Sequence, residues 1–262
     1  MQMIRLDDLN VHYREDGDPD GRAVMFSNSL GTDLRLWDKI VPMLHDGLRL
    51  IRYDKRGHGL SDAPPAPYHM GQLVSDAERL ADHLGVRDCV FVGLSVGGLI
   101  AQGLAVKRPD IVAQMVISNT AAKIGTRAMW DERIAAVKAG GIAALADTIM
   151  ERWFAKAFLE TAERAGWQAM LERQPDEGYM GVSAAISHTD FMNTTAALTL
   201  PTLAIAGSED GSTPPDLVRE TAALVPGSRF HLIRGAGHLP CVEAPDEFAR
   251  VVSDFIVETA NG

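Results

Sequence analysis

Along the first 120 positions, short apolar runs alternate with stretches of helical spacing, and turn chemistry separates them. Met3-Ile4-Arg5-Leu6 and Asn10-Val11-His12-Tyr13-Arg14 read as two antiparallel strands, followed by dense turn residues from Asp16 to Gly21. Further strands are predicted near Ala23–Ser27 and Leu48–Tyr53, from Cys89 to Leu94, and over Ile111–Ser118. Helices are predicted near Met70–Leu84 and from Val96 to Lys107, the second stopped by Arg108-Pro109 because a residue before proline leaves the helical region. Strand and helix in alternation signal a mainly parallel sheet with crossover helices.

After Asn119-Thr120 the rhythm changes. From Ala121 to Ala196 apolar residues keep helical spacing, as in Ile134-Ala135-Ala136-Val137 and Ile142–Phe158, with no convincing strand. The interval far exceeds the dozen or so residues that a crossover needs, so it reads as a helical cap standing over the sheet. Strand rhythm resumes at Leu200-Pro201-Thr202, with a buried strand over Leu203–Gly207 and another over Phe230–Ile233. The predicted fold class is therefore α/β: a mostly parallel eight-stranded sheet flanked by helices, with a helical cap inserted after the sixth strand. Residues 1–120 and 197–262 form the predicted core, and 121–196 the cap insertion.

Composition narrows the function classes. The chain has 262 residues, 46% hydrophobic and 23% charged, with a net charge of −10. That balance argues against nucleic acid, which selects a basic stripe. No apolar run approaches the ~20 residues needed to span a bilayer, and Met1–Asp8 has no secretory h-region, so a cytoplasmic protein is expected. The sequence is compatible with a monomer or a homo-oligomer. Cys89 and Cys241 form no C-x-x-C pair; Cys89 reads as a packing residue, and Cys241, three residues after His238, reads as a packing residue with a place near the candidate chemistry as the alternative. No HExxH-type spacing occurs, so no metal is expected.

The chemistry gathers at strand ends. Gly93-Leu94-Ser95-Val96-Gly97 is G-x-S-x-G between a predicted strand and a predicted helix, the setting of a nucleophile elbow. Ser95 is the candidate nucleophile; the plainer reading is a small residue in a tight turn. A serine hydroxyl needs an adjacent base, and an imidazole needs a carboxylate to fix its tautomer. His238, after the last strand, and Asp210, after the strand Leu203–Gly207, supply these types in the order Ser, Asp, His. Glu209 is the alternative acid, and His238 could instead cap its glycine-rich turn. His58 and His188 read as structural. Negative charge on a substrate carbonyl oxygen requires backbone donors. Val96, after the nucleophile, and Leu30, in the loop Asn28-Ser29-Leu30-Gly31, are the predicted N–H groups.

These residues carry a resemblance over nearly the whole chain. Ser27-Asn28-Ser29-Leu30-Gly31, the run Arg52 to Ser61, and Gly93–Gly98 resemble the α/β-hydrolase superfamily. More narrowly, Ser118–Gly125, Glu151-Arg152-Trp153-Phe154, Gly178-Tyr179-Met180, Ala184-Ala185-Ile186 with Asp190, and Thr213-Pro214 are similar to the 3-oxoadipate enol-lactonases of the β-ketoadipate pathway. Val96 departs from the Met often found there, which matters little for a backbone donor. The resemblance implies hydrolysis of 3-oxoadipate enol-lactone to 3-oxoadipate through an acyl-enzyme, without cofactor. Such a small anionic lactone requires a cationic receptor for its carboxylate. Lys123, Arg127, Arg133 and Arg152 are the candidates, with Arg133 and Trp153 expected to face the pocket. A broad carboxylesterase, another lactonase, a C–C bond hydrolase or a slow ligand sensor on the same triad are the alternatives.

Overall fold

The computed structural model describes residues 1–44 and 46–260. Its strands are β1 (Gln2–Leu6), β2 (Leu9–Gly17), β3 (Arg22–Ser27), β4 (Leu48–Tyr53), β5 (Cys89–Leu94), β6 (Val112–Ser118), β7 (Thr202–Gly207) and β8 (Arg229–Ile233). They form one sheet in the order β1-β2-β4-β3-β5-β6-β7-β8. β2 is antiparallel to both β1 and β4, and all pairs from β4 to β8 are parallel. Every residue of β5 and of β7 is buried. A parallel strand covered on both faces reads as a continuous apolar run, as these do.

Between β4 and β5 lies α1 (Met70–His83), and between β5 and β6 lies α2 (Val96–Lys107). α1 buries Leu73, Val74, Ala77, Leu80 and Ala81, one face at helical spacing. α2 is buried over most of its length, and its Gly97, Gly98 and Ala101 leave it free to approach the sheet closely. From β6 to β7 the chain forms α3 (Arg127–Gly140), α4 (Ala146–Trp153), α5 (Lys156–Leu159), α6 (Arg164–Glu172), α7 (Asp176–Ser187) and α8 (Met192–Ala196), with no strand among the described residues there. α9 (Pro215–Ala223) precedes β8; α10 (Pro240–Glu243) and α11 (Pro245–Ala260) follow it.

One element differs from its sequence reading. The predicted turn begins at Asp16, yet β2 continues to Gly17, pairing Glu15 with Ile51 and Asp16 with Leu50. The acidic residues are held in the strand by cations of β4: Glu15 meets Arg49 at 2.5 Å and Asp16 meets the buried Arg52 at 2.6 Å. Tertiary ion pairing overrides local turn preference.

The strand order places the site. From β3 the chain moves to β4 on one side, then returns to lay β5 on the other side of β3. The crevice at such a reversal, beyond the carboxyl ends of the strands, is where open α/β sheets bind ligands. Ser27, the last residue of β3, is in register with Gly93 of β5. The loop after β3 and the turn after β5 therefore emerge side by side.

Candidate active site

Ser95 stands between β5 and α2 with φ +57° and ψ −118°. A side-chain-bearing residue held there costs on the order of 1–3 kcal/mol, so the surroundings must impose it. Ser95 N donates to Ser118 O at 2.9 Å, and Ser95 O accepts from Thr120 Oγ1 at 2.6 Å. The flanking glycines make the turn sterically possible. A Cβ on Gly97 would stand 2.0 Å from Ser27 O, and one on Gly93 would stand 2.2 Å from Gly97 O. Neither backbone oxygen can yield cheaply. Val96 opens α2, so its N–H has no acceptor one turn back and sits at the positive end of the helix.

Asp210 and His238 meet. His238 Nδ1 donates to Asp210 Oδ2 at 2.8 Å, and both side chains are buried. Glu209 is exposed. The carboxylate is held from several sides: Ser212 N and Thr213 N donate to Oδ1 at 2.7 and 3.0 Å, while Thr213 Oγ1 and Asn119 Nδ2 donate to Oδ2 at 2.8 and 2.9 Å. Burial alone raises the acid's pKa. The charge and hydrogen bond of His238, with the Asn119 and Thr213 bonds, outweigh burial and hold it below its usual range. Nε2, on the ring's other side, has the Ser29 hydroxyl at 3.5 Å.

Asn119 and Thr213 had no assigned role in the sequence reading. Asn119 follows β6 directly, at φ +49°, and its amide also reaches Gly237 O at 3.2 Å. The available clue was an asparagine at a strand end, since asparagine tolerates the left-handed region better than most residues.

The end of α4 ties the helical segment to both loops. Trp153 O accepts from His238 N at 2.7 Å, and Arg152 O accepts from Gly211 N at 3.2 Å. Glu243 accepts from Ala155 N at 2.9 Å and Gly237 N at 2.6 Å. Burial, aided by the charges of Glu209 and Asp210, raises its pKa to about 7 despite those two bonds.

A cavity of about 30 Å³ joins these parts. The sheet side contributes Ser29, Leu30, Ser95, Thr213 and His238; the helical side contributes Trp130, Arg133, Arg152, Trp153 and Tyr179. Larger hollows lie elsewhere, including one of about 580 Å³ beside α1, α2 and α7, but none holds these groups. Both residues expected at the pocket, Arg133 and Trp153, line it. Arg133 Nη1 approaches Tyr179 Oη at 3.5 Å, and its guanidinium lies 5.1 Å from the Trp130 ring centroid. Arg152 Nε is buried without a partner, and burial followed by the charge of Arg133 lowers that guanidinium's pKa. Neither arginine pairs with a carboxylate among the described residues. Lys123 and Arg127, the other cationic candidates, are exposed and paired with Asp190 and Asp131.

The remaining candidates fall away from the chemistry. His188 caps α7 through Ala184 O at 2.9 Å, and Cys241 is buried. No group of three His, Cys, Asp or Glu side chains is arranged to hold a metal, and no helix is long and apolar enough to cross a membrane, among the described residues.

Residues 24–251 match the alpha/beta hydrolase family. The chain belongs to that family. Its fold is the α/β-hydrolase fold, and the protein is a hydrolase. It is 34% identical over 247 residues to 3-oxoadipate enol-lactonase 2 of Acinetobacter baylyi, covering 94% of this chain and 92% of the relative. Among solved α/β-hydrolase structures, an enol-lactonase from Burkholderia xenovorans LB400 superposes with TM-score 0.94 at 34% identity, covering 98% of this chain and 100% of that one. A hydrolase from Pseudomonas aeruginosa PA01 superposes with TM-score 0.93 at 38% identity, covering 97% of each chain.

Proposed function

We propose that this hydrolase opens a small anionic lactone of the 3-oxoadipate enol-lactone type through a Ser95 acyl-enzyme. One observation carries the reading: the cavity that Ser95 shares with His238 also receives two arginines that pair with no carboxylate among the described residues. Guanidinium groups recognise carboxylates through charge-assisted, often bidentate hydrogen bonds. Full-length similarity to enol-lactonases supports the same substrate class.

In this reading Ser95 Oγ attacks the lactone carbonyl as His238 Nε2 takes its proton, with Asp210 holding the ring and stabilising the imidazolium. The N–H groups of Leu30 and Val96 receive the oxyanion. Collapse breaks the ring C–O bond, and His238 returns the proton to the enol oxygen, which stays tethered in the acyl chain. The enol becomes a ketone, removing the nucleophile that would close the ring again. Water, deprotonated by His238, then attacks the acyl carbon, and the proton returns to Ser95 as the acid leaves. The helical segment 121–196 acts as the cap: it brings Arg133 and Arg152 to the carboxylate, and Trp153 forms part of the wall.

The 30 Å³ cavity is far below the roughly 300–1,000 Å³ of ligand pockets, so lactone entry requires cap side chains to move. Bonds between catalytic groups commonly tighten only with substrate bound, which accommodates the present Ser29 contact at Nε2. The test is steady-state loss of enol-lactone absorbance beside a panel of neutral esters. A kcat/KM for the lactone at least ~100-fold above the best neutral ester is expected, since two charge-assisted contacts separate them. Equal values would replace the lactonase by a broad esterase.

A further inference from the structure

The loop carrying the Leu30 N–H is held from beneath by a buried cation. Lys55, after β4, is 1% exposed, and its Nζ donates to Ser29 O at 2.7 Å and to Thr32 O at 3.3 Å. Its bonds are to carbonyls rather than to a carboxylate. Burial lowers its pKa to about 7, and the charges of Asp54 and Asp33 offset this only in part. Those two acids face other groups: Asp54 bonds His12 and the N–H groups of Leu34 and Leu60, and Asp33 bonds Arg35. The other titratable neighbour is His58, whose Nε2 accepts from Gly31 N at 2.9 Å and is therefore neutral. Burial and the charge of Lys55 push that imidazole well below its ordinary pKa, consistent with an acceptor.

Ser29 C=O and Leu30 N–H belong to one peptide unit, and the sole cis bond among the described residues is Ala66-Pro67. In a trans peptide the oxygen and the hydrogen point in opposite directions. With its oxygen held by Lys55 at 2.7 Å, its shortest contact, and by the Thr32 hydroxyl at 3.0 Å, this unit turns its N–H away from the interior, to the side where Leu30 lines the cavity of Ser95 and His238. The next two N–H groups are occupied: Gly31 by His58, and Thr32 by Ser29 O at 3.3 Å. Leu30 alone of the three is left to donate.

We propose that Lys55 is a positioning residue for acyl transfer: its ammonium orients the Ser29–Leu30 peptide and polarises it, making the Leu30 N–H a stronger donor to the oxyanion. Hydrogen bonds in series strengthen one another in this way, most in a low-dielectric interior. The inference rests on Leu30 as an oxyanion donor and is independent of which ester is the natural substrate.

The test is acylation of Ser95 by the neutral ester p-nitrophenyl acetate, followed as nitrophenolate release. Lys55→Met should lower the acylation rate constant by about tenfold to a hundredfold, with affinity for the ester within about twofold. Lys55→Gln keeps a donor without the charge and should fall between. The thermal midpoint of Lys55→Met should equal or exceed that of the native chain, because a buried unpaired cation is removed. A folded Lys55→Met that acylates within about twofold of the native rate overturns the proposal. An unreactive native protein overturns the acyl-transfer reading together with it. Should neither variant fold, the native chain decides: the Leu30 ¹⁵N resonance should titrate with the midpoint of the Lys55 ¹³Cε resonance, and a Leu30 resonance that stays fixed through that midpoint overturns the polarising role.

Discussion

Arg152→Met separates anion recognition from folding. Arg152 carries a half-buried charge with an unpartnered Nε, and burial and the nearby Arg133 both disfavour that charge. Methionine keeps an apolar stem of similar reach and removes both penalties. The free protein should therefore be as stable as the native chain or more so, the pattern seen when a buried charge gives way to an apolar group. Under the proposed function, the lactone's carboxylate would lose a charge-assisted contact worth about 1.5–3 kcal/mol, which is about 10- to 150-fold in affinity. A neutral ester of similar size loses no such contact and should keep its kcat/KM within about twofold. The assay pairs steady-state kinetics on both substrates with urea denaturation. Equal losses on the two substrates, or a marked fall in stability, would refute the assignment of Arg152 to the anion.

Three other perturbations address the supporting structure. Asn119→Gly removes the amide that donates to Asp210 Oδ2 but keeps a residue suited to φ +49°; turnover of a neutral ester should fall by about tenfold, and native turnover would show that only the backbone conformation matters. Gly97→Ala drives a Cβ to 2.0 Å from Ser27 O, which should cost at least about 1–3 kcal/mol in urea denaturation and slow fluorophosphonate labelling of Ser95; an unperturbed variant would contradict the tight turn. Glu243 is raised from 4.5 to about 7 in the folded state, so between those values the native protein holds a proton that the unfolded chain has lost. Its contribution to stability is therefore full below the unfolded value and declines as pH rises toward 7. Glu243→Gln should flatten that decline in urea midpoints taken from pH 4 to 8, and an unchanged slope would contradict the buried carboxyl.

Much of this arrangement was legible in the sequence because it is written in local terms. Buried parallel strands such as Cys89–Leu94 must be continuous apolar runs, and a turn as tight as Gly93–Gly97 must have glycine where backbone oxygens approach. The pairing of Asp210 with His238 agrees with the spacing of strand ends. What escaped depends on contacts between distant segments. Asp16 and Gly17 have turn character, yet Arg52 and the β4 ladder keep them in a strand. Arg152 and Lys123 are equivalent as letters; only the folded helices set one against the cavity and pair the other with Asp190 at the surface. Asn119 supports Asp210 from 91 residues away in sequence, a relation that no periodicity encodes.

The most direct measurement is the mass of the covalent intermediate that the proposed acyl transfer requires. A lactone keeps its leaving group, so the acyl-enzyme must weigh as much as enzyme plus intact lactone, unlike the adduct of an ordinary ester. Rapid acid quench of the native protein with enol-lactone should give that mass, located on the peptide bearing Ser95, and Ser95→Ala should lack both the adduct and turnover by several orders of magnitude. Native turnover persisting in Ser95→Ala, or the adduct mapping to another residue, would contradict the account.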